Sequence, residues 1–134
     1  MLQQDKPDET SWQKLYMYAL VNRLLSESTE SLELIKDSIN YPCLSTKKLI
    51  ESNRVVNTLT LPDGLYAIFT HKGSIDKISE LYNAILNYWI PSSKYMLCAQ
   101  QNPYVIYLNN SSQVAEKDLL SEIYIPLSEK SRDT

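Results

Sequence analysis

Between Leu61 and Pro91 the chain spells out a turn, a strand, a second turn and a helix. Pro62-Asp63-Gly64 is a turn signal, since proline presets one backbone angle and glycine admits conformations closed to other residues. Leu65 to Lys72 then reads as a strand, closed by Gly73, and Ser74 is placed to cap the next element. Ile75, Ile78, Leu81, Tyr82, Ile85, Leu86 and Trp89 recur at helical spacing and make one apolar stripe, and Pro91 stops that helix. An amphipathic helix directly after a strand demands a sheet to pack on.

The flanking segments extend this reading. Thr10 and Gln13 have the spacing of a capping box, and Trp12, Leu15, Tyr16, Ala19, Leu20 and Leu24 predict a helix over roughly 11–25. Leu32, Ile35 and Ile39 suggest a second, shorter helix over roughly 29–39, ended by Tyr41-Pro42. Extended segments are expected at roughly 43–50, 55–61, 94–100 and 103–109, with a short helical turn in 114–119. Ile123-Tyr124-Ile125 is a last strand, which Pro126 should confine to a sheet edge or a strand end. The fold class is α+β with a mostly antiparallel sheet. Residues 1–9 read as a disordered lead, 10–127 as a single domain and 128–134 as a polar tail.

Composition removes several functions. Two glycines in 134 residues cannot build a glycine-rich phosphate loop, and one histidine cannot found a multi-histidine metal site. The net charge of −3 argues against phosphate-backbone binding. Residues 1–40 carry four basic and seven acidic side chains, so the amino-terminal helices are not a DNA reader. Cys43 and Cys98 form no C-x-x-C pair, and two buried thiols are preferred over a disulfide. The amino terminus has no apolar signal region and no window is apolar enough to span a membrane, so the expected location is cytoplasmic. No cofactor and no metal are implied.

Candidate chemistry is sparse. His71 could serve as a base, but a packed strand residue is the better reading. The carboxylates are scattered, and Glu122 stands out only because it enters a strand. The aromatic inventory says more: ten tyrosines and two tryptophans stand against one phenylalanine. A buried tyrosine hydroxyl needs a partner, so this bias suits either a pocket for a flat or cationic organic ligand or amphipathic packing at the sheet margins.

The run Leu61-Pro62-Asp63-Gly64-Leu65-Tyr66-Ala67-Ile68-Phe69-Thr70-His71-Lys72-Gly73 resembles the strand-and-turn signature of the GyrI-like small-molecule-binding domains. The helix ending Leu86-Asn87-Tyr88-Trp89-Ile90-Pro91 fits the same pattern. So do Tyr104-Val105-Ile106-Tyr107-Leu108-Asn109 and Glu122-Ile123-Tyr124-Ile125-Pro126-Leu127. The resemblance covers roughly 57–127 and leaves 10–56 as a divergent first half. It implies two pseudo-symmetric strand-helix-strand-strand halves, a curved sheet, two main helices and a ligand groove between the halves. The family includes effector-binding domains of AraC- and MerR-type transcription activators, the DNA gyrase inhibitor protein and integron-cassette proteins. Many members bind lipophilic cationic drugs between aromatic walls and a buried glutamate.

Two departures stand out against that pattern. Val105 occupies the position where members often carry the glutamate, which removes the groove's expected charge; Glu122 could substitute. The first half lacks an evident leading strand, which leaves the sheet edge either exposed or covered by a second copy of the chain as a homodimer. The resemblance thus implies a stand-alone, non-enzymatic domain for an apolar or cationic aromatic small molecule, with no direct nucleic-acid contact. Its expected groove is walled by Tyr66, Ile68, Trp89, Val105, Tyr107 and Tyr124, with Trp12 and Tyr16 from the other half and Glu122 as the substitute acid. A protein-interaction module like the gyrase inhibitor is the alternative, and a small-molecule hydrolase is a third reading.

Overall fold

A computed structural model describes residues 2–4, 11–26, 29–36, 39–46, 56–58, 61, 64–110 and 112–130. The first half of the chain contributes β1 (Leu2–Gln4), α1 (Ser11–Val21), β2 (Ser31–Lys36) and β3 (Ile39–Leu44). After β4 (Val56–Thr58) the second half follows with β5 (Tyr66–Lys72), α2 (Ile78–Ala84), β6 (Tyr95–Leu97), β7 (Tyr104–Tyr107) and β8 (Leu120–Glu129). All pairings are antiparallel, in the order β4-β1-β3-β2-β7-β8-β5, with β6 pairing β8 beyond the end of β7. The two halves meet at β2 and β7, so the sheet's centre is also the join between them.

This order repeats a pattern. In the first half β1 pairs β3 and β3 pairs β2; in the second β5 pairs β8 and β8 pairs β7. The leading strand that the sequence did not reveal is β1, which lies inside the stretch read as a disordered lead. The first half is therefore complete in its elements. Its edge is covered by β4 of the same chain.

The helix expected over 29–39 is instead the hairpin of β2 and β3. Leu32 and Leu34 are buried and alternate with Ser31, Glu33 and Ile35, the period of a strand. The trio Leu32, Ile35 and Ile39 fits a helix equally well, so spacing alone does not decide between the two. Pairing to β3 on one side and β7 on the other satisfies the backbone of β2 instead. Tyr41-Pro42 lies within β3 and does not end a helix. Pro42 is tolerated because its missing N–H faces β1, whose ladder stops at Cys43.

Pro126 follows the same logic. It sits inside the ten-residue β8, neither at an edge nor at an end. The Leu127 N–H bonds to the Leu65 carbonyl, so the neighbouring Pro126 nitrogen faces away from β5, into the gap between β6 and β7. The strand expected over 43–50 ends at Leu44, and 47–50 lie outside the described residues.

Helix α1 stops at Val21, short of the expected 25. Arg23 takes a left-handed φ of 56°, and the Leu24 N–H reaches back to the Ala19 carbonyl at 2.8 Å. That is a Schellman turn, and it folds Leu24 onto Leu15, Ala19 and Leu44.

The second helical run spans 75–92. A 3-10 turn at Ile75–Lys77 enters α2, and a π-helical stretch at Ile85–Trp89 leaves it before a last turn at Ile90–Ser92. Pro91 does not stop the run, which continues to Ser92. The proline ring crowds the carbonyl four residues earlier, and the π-helical stretch just before it widens the helix there. The start is fixed by Ser74, whose side chain accepts from the Asp76 N–H, and by Gly73 at a φ of 116°. His71 Nε2 lies 2.8 Å from the Ser74 carbonyl, so the histidine braces this turn.

Three clusters of buried side chains result from strand alternation. On the helix side, Ile85, Ile90, Val105, Ile123, Ile125 and Leu127 pack under α2, and Leu15, Ala19 and Leu44 pack under α1. On the far face Leu32, Leu34, Cys43 and Tyr104 are buried with Leu61, Tyr66, Ile106 and Tyr124 around them.

Candidate functional site

Helix α1 lies over β1 and β3, away from the middle of the sheet. Beside it opens a groove of about 660 Å³, between α1, the start of the second helical run and the β7–β8 connection. Register explains its floor. Ser31, Tyr107, Ser121 and His71 are successive Cα partners across β2, β7, β8 and β5, and form one polar row on the helix side. The adjacent row, Glu33, Val105, Ile123 and Phe69, begins with a carboxylate and continues into the core under α2.

Glu33 is the one charged side chain among the described residues that line the groove. It stands directly opposite Val105. The Tyr107 hydroxyl donates to it, and Asn40 Nδ2 donates to its Oε2 at 2.9 Å. Burial, the nearby Glu33 charge and that hydrogen bond together push the Tyr107 phenol far above its ordinary value, so it stays a donor. A carboxylate therefore stands on the strand next to Val105, where the resemblance led one to expect a charge on Val105's own strand. Its sequence signal was the alternation Leu32-Glu33-Leu34, hidden by the helical reading of the same residues.

One wall is aromatic. Trp12 and Tyr16 are one turn apart on α1, with ring centroids 5.9 Å apart. The Tyr16 hydroxyl hydrogen-bonds Ser31 Oγ, which ties α1 to β2. The opposite rim is the β7–β8 connection, with Asn109, Asn110 and Gln113. Asn109 holds it in shape: its Oδ1 accepts from the Leu120 N–H at 2.8 Å and its Nδ2 donates to the Asp118 carbonyl at 3.1 Å.

The structure thus brings Trp12, Tyr16 and Tyr107 together at the groove. Val105 shares their face of the sheet but is buried under α2 and does not line the opening. Trp89 packs edge-on against Phe69 at 5.2 Å, away from the groove. Tyr66, Ile68, Glu122 and Tyr124 lie on the far face, because even-numbered positions of β5 and β8 point opposite to Phe69 and Ile123. There Tyr104 stacks on Tyr124 at 4.7 Å, with Tyr66 edge-on to both. Burial pushes the Tyr104 phenol up to about 12, with smaller contributions from Tyr66, Tyr124 and Glu30. Glu122 is separated from the groove by the sheet itself. Sequence reasoning missed Glu33, Ser31, Ser121 and the amides of the rim, all polar residues whose convergence depends on long-range register.

An open antiparallel sheet built from two strand-helix-strand-strand halves, with a groove where they meet, defines the class of small-molecule-binding domains that recurs in regulators. The chain belongs to the GyrI-like family: the GyrI-like small molecule binding domain matches residues 9–128. It is similar to the "Probable transcriptional regulator YgiV" of Escherichia coli K12, 31% identical over 87 residues, or 63% of this chain and 53% of that protein. The protein of the same description from Escherichia coli O157:H7 matches with the same identity and coverage. The fold is shared with the cryo-EM structure of the EcmrR-DNA complex, at a TM-score of 0.76 and 16% identity over 96% of this chain and 53% of that one. The chain spans about half the length of these relatives. No described helix is long and apolar enough to cross a membrane.

Proposed function

We propose that this domain binds an aromatic cation in the groove beside α1 and performs no chemistry on it. The observation that carries this reading is a single carboxylate, Glu33, on the floor of an open groove whose wall is Trp12 and Tyr16. An aromatic face and a partly buried carboxylate both favour a delocalised positive charge. Glu33 is held by two donors, an arrangement that suits an anchor better than a base in need of free movement.

The test uses two ions of one shape and opposite charge, tetraphenylphosphonium and tetraphenylborate. The cation raises the melting temperature and the anion does not, because only a ligand of the folded state stabilises it. Glu33→Gln weakens the cation by at least about ten-fold, a loss of about 1.4 kcal/mol. Tryptophan fluorescence changes on binding, and Trp12→Phe abolishes the change whereas Trp89→Phe keeps it. Equal stabilisation by both ions would remove Glu33 from the account, and no shift from either would overturn the groove reading.

A further inference from the structure

The two ends of the groove offer opposite hydrogen-bonding chemistry. At the α1 and β2 end the carboxylate of Glu33 can only accept. At the β7–β8 end the amide oxygens are already used by the loop. Asn110 Oδ1 accepts from the Ser112 N–H at 3.0 Å and also from the Ser112 hydroxyl. Gln113 Oε1 accepts from the Asn110 N–H at 3.3 Å. These backbone donors fix which way each amide is turned. What remains on both side chains is an NH2 group, and neither has a partner among the described residues.

Ser121 adds a separate observation. It is 2% exposed, it lines the groove, and its hydroxyl has no hydrogen-bond partner among the described residues. A buried hydroxyl without a partner is unfavourable, and such groups in native folds await a water or a ligand. Its cross-strand neighbour Tyr107 donates its proton to Glu33 and has none to offer Ser121. Tyr107 therefore marks the boundary between an acceptor end and a donor end.

We infer that the ligand has two chemically distinct ends. An ammonium or delocalised cation lies at Glu33, Trp12 and Tyr16. A neutral, oxygen-rich end, with carbonyl, ether or hydroxyl groups, meets Ser121, Asn110 and Gln113. This rests on the groove being the binding site, and it excludes a purely lipophilic cation as the best ligand.

Calorimetric titration of the full chain compares tetraphenylphosphonium, which has no hydrogen-bonding group, with doxorubicin, which joins an ammonium to quinone and hydroxyl oxygens. Doxorubicin binds at least about ten-fold tighter, and Ser121→Ala and Gln113→Leu each weaken it about five- to ten-fold while leaving tetraphenylphosphonium unchanged. Glu33→Gln weakens both. Ser121→Ala does not lower the melting temperature, since it removes an unpaired hydroxyl. Should Ser121→Ala and Gln113→Leu leave doxorubicin unaffected, or should tetraphenylphosphonium bind as tightly, the two-ended ligand is overturned while the groove reading stands. A loss equal for both probes assigns Ser121 a structural role and also overturns it. Binding of neither probe overturns both readings.

Discussion

The two halves repeat one arrangement of strands and differ in what their helices cover. Under α2 and the turns that extend it lie six buried side chains from the helix and from β7 and β8. Under α1 lie Leu15, Ala19 and Leu44, while Met17 and Leu20 are each 61% exposed on its outer side. The second helix spreads over its half of the sheet; the first sits to the side and leaves the polar row at the centre open. The second half thus holds the larger of the two helix-side clusters, while both halves line the groove, which exists because the two helices are not equivalent.

The largest expected effect tests that division. Ile123 is fully buried in the middle strand of the second half, and Ile123→Ala destabilises the domain by about 3–5 kcal/mol. Leu15 is equally buried but belongs to the smaller cluster, where exposed neighbours can close over a cavity. Leu15→Ala costs less, about 2–3 kcal/mol. Urea unfolding measures both. Equal costs would show that the halves share stability evenly and would break the comparison.

The same contrast governed how much could be read from sequence. The second half announces itself through local signals: the Pro62-Asp63-Gly64 turn, the Leu65–Lys72 strand and the stripe from Ile75 to Trp89. Strand β5 and the helical run stand where those signals put them. In the first half, Leu32, Ile35 and Ile39 satisfied two periodicities at once, and only pairing with β7 decided between them. The groove suffered most. Alternation correctly gave Val105 and Tyr107 one face, but no local feature said that Tyr66 and Tyr124 belong to the other. Face is a property of each strand alone; which faces coincide is set by register between distant strands. Glu33 was invisible for that reason, although it lies directly opposite Val105.

A smaller effect separates the halves by alkaline titration. Burial pushes the Cys43 thiol of β3 from 9.0 up to about 12, and the Tyr104 phenol of β7 from 10.0 up to about 12. In both cases the folded state holds its proton more tightly than the unfolded chain. The resulting stability is complete below the unfolded value and is lost as pH rises towards the folded one. Stability should therefore begin to fall above pH 9.0 through Cys43, by on the order of 1 kcal/mol per pH unit. It falls more steeply above pH 10.0, where Tyr104 joins. Melting temperatures of Cys43→Ala across this range should lack the first part of the decline and keep the second. An unchanged profile would mean that the thiol ionises in the folded state.

The smallest expected effects concern the loop that forms the donor end of the groove. Two of the side chains that tie it down, Lys72 and Asn109, differ in how far water reaches them. Lys72 reaches Asp118 across 3.9 Å, but both side chains are largely in water. Exposed pairs of this kind are screened and cost side-chain entropy, so Lys72→Ala changes stability by less than about 0.5 kcal/mol. Asn109 instead satisfies one backbone N–H and one carbonyl in a partly buried position. Asn109→Ala leaves both without that partner and costs about 1–2 kcal/mol by urea unfolding. It also loosens the connection that carries Asn110 and Gln113, so doxorubicin affinity falls further than stability alone accounts for, whereas Lys72→Ala leaves it unchanged. The loop's shape is then a property of one amide in the second half. The one carboxylate among the described residues that line the groove belongs to the first half and the loop amides to the second, so neither half holds both groups.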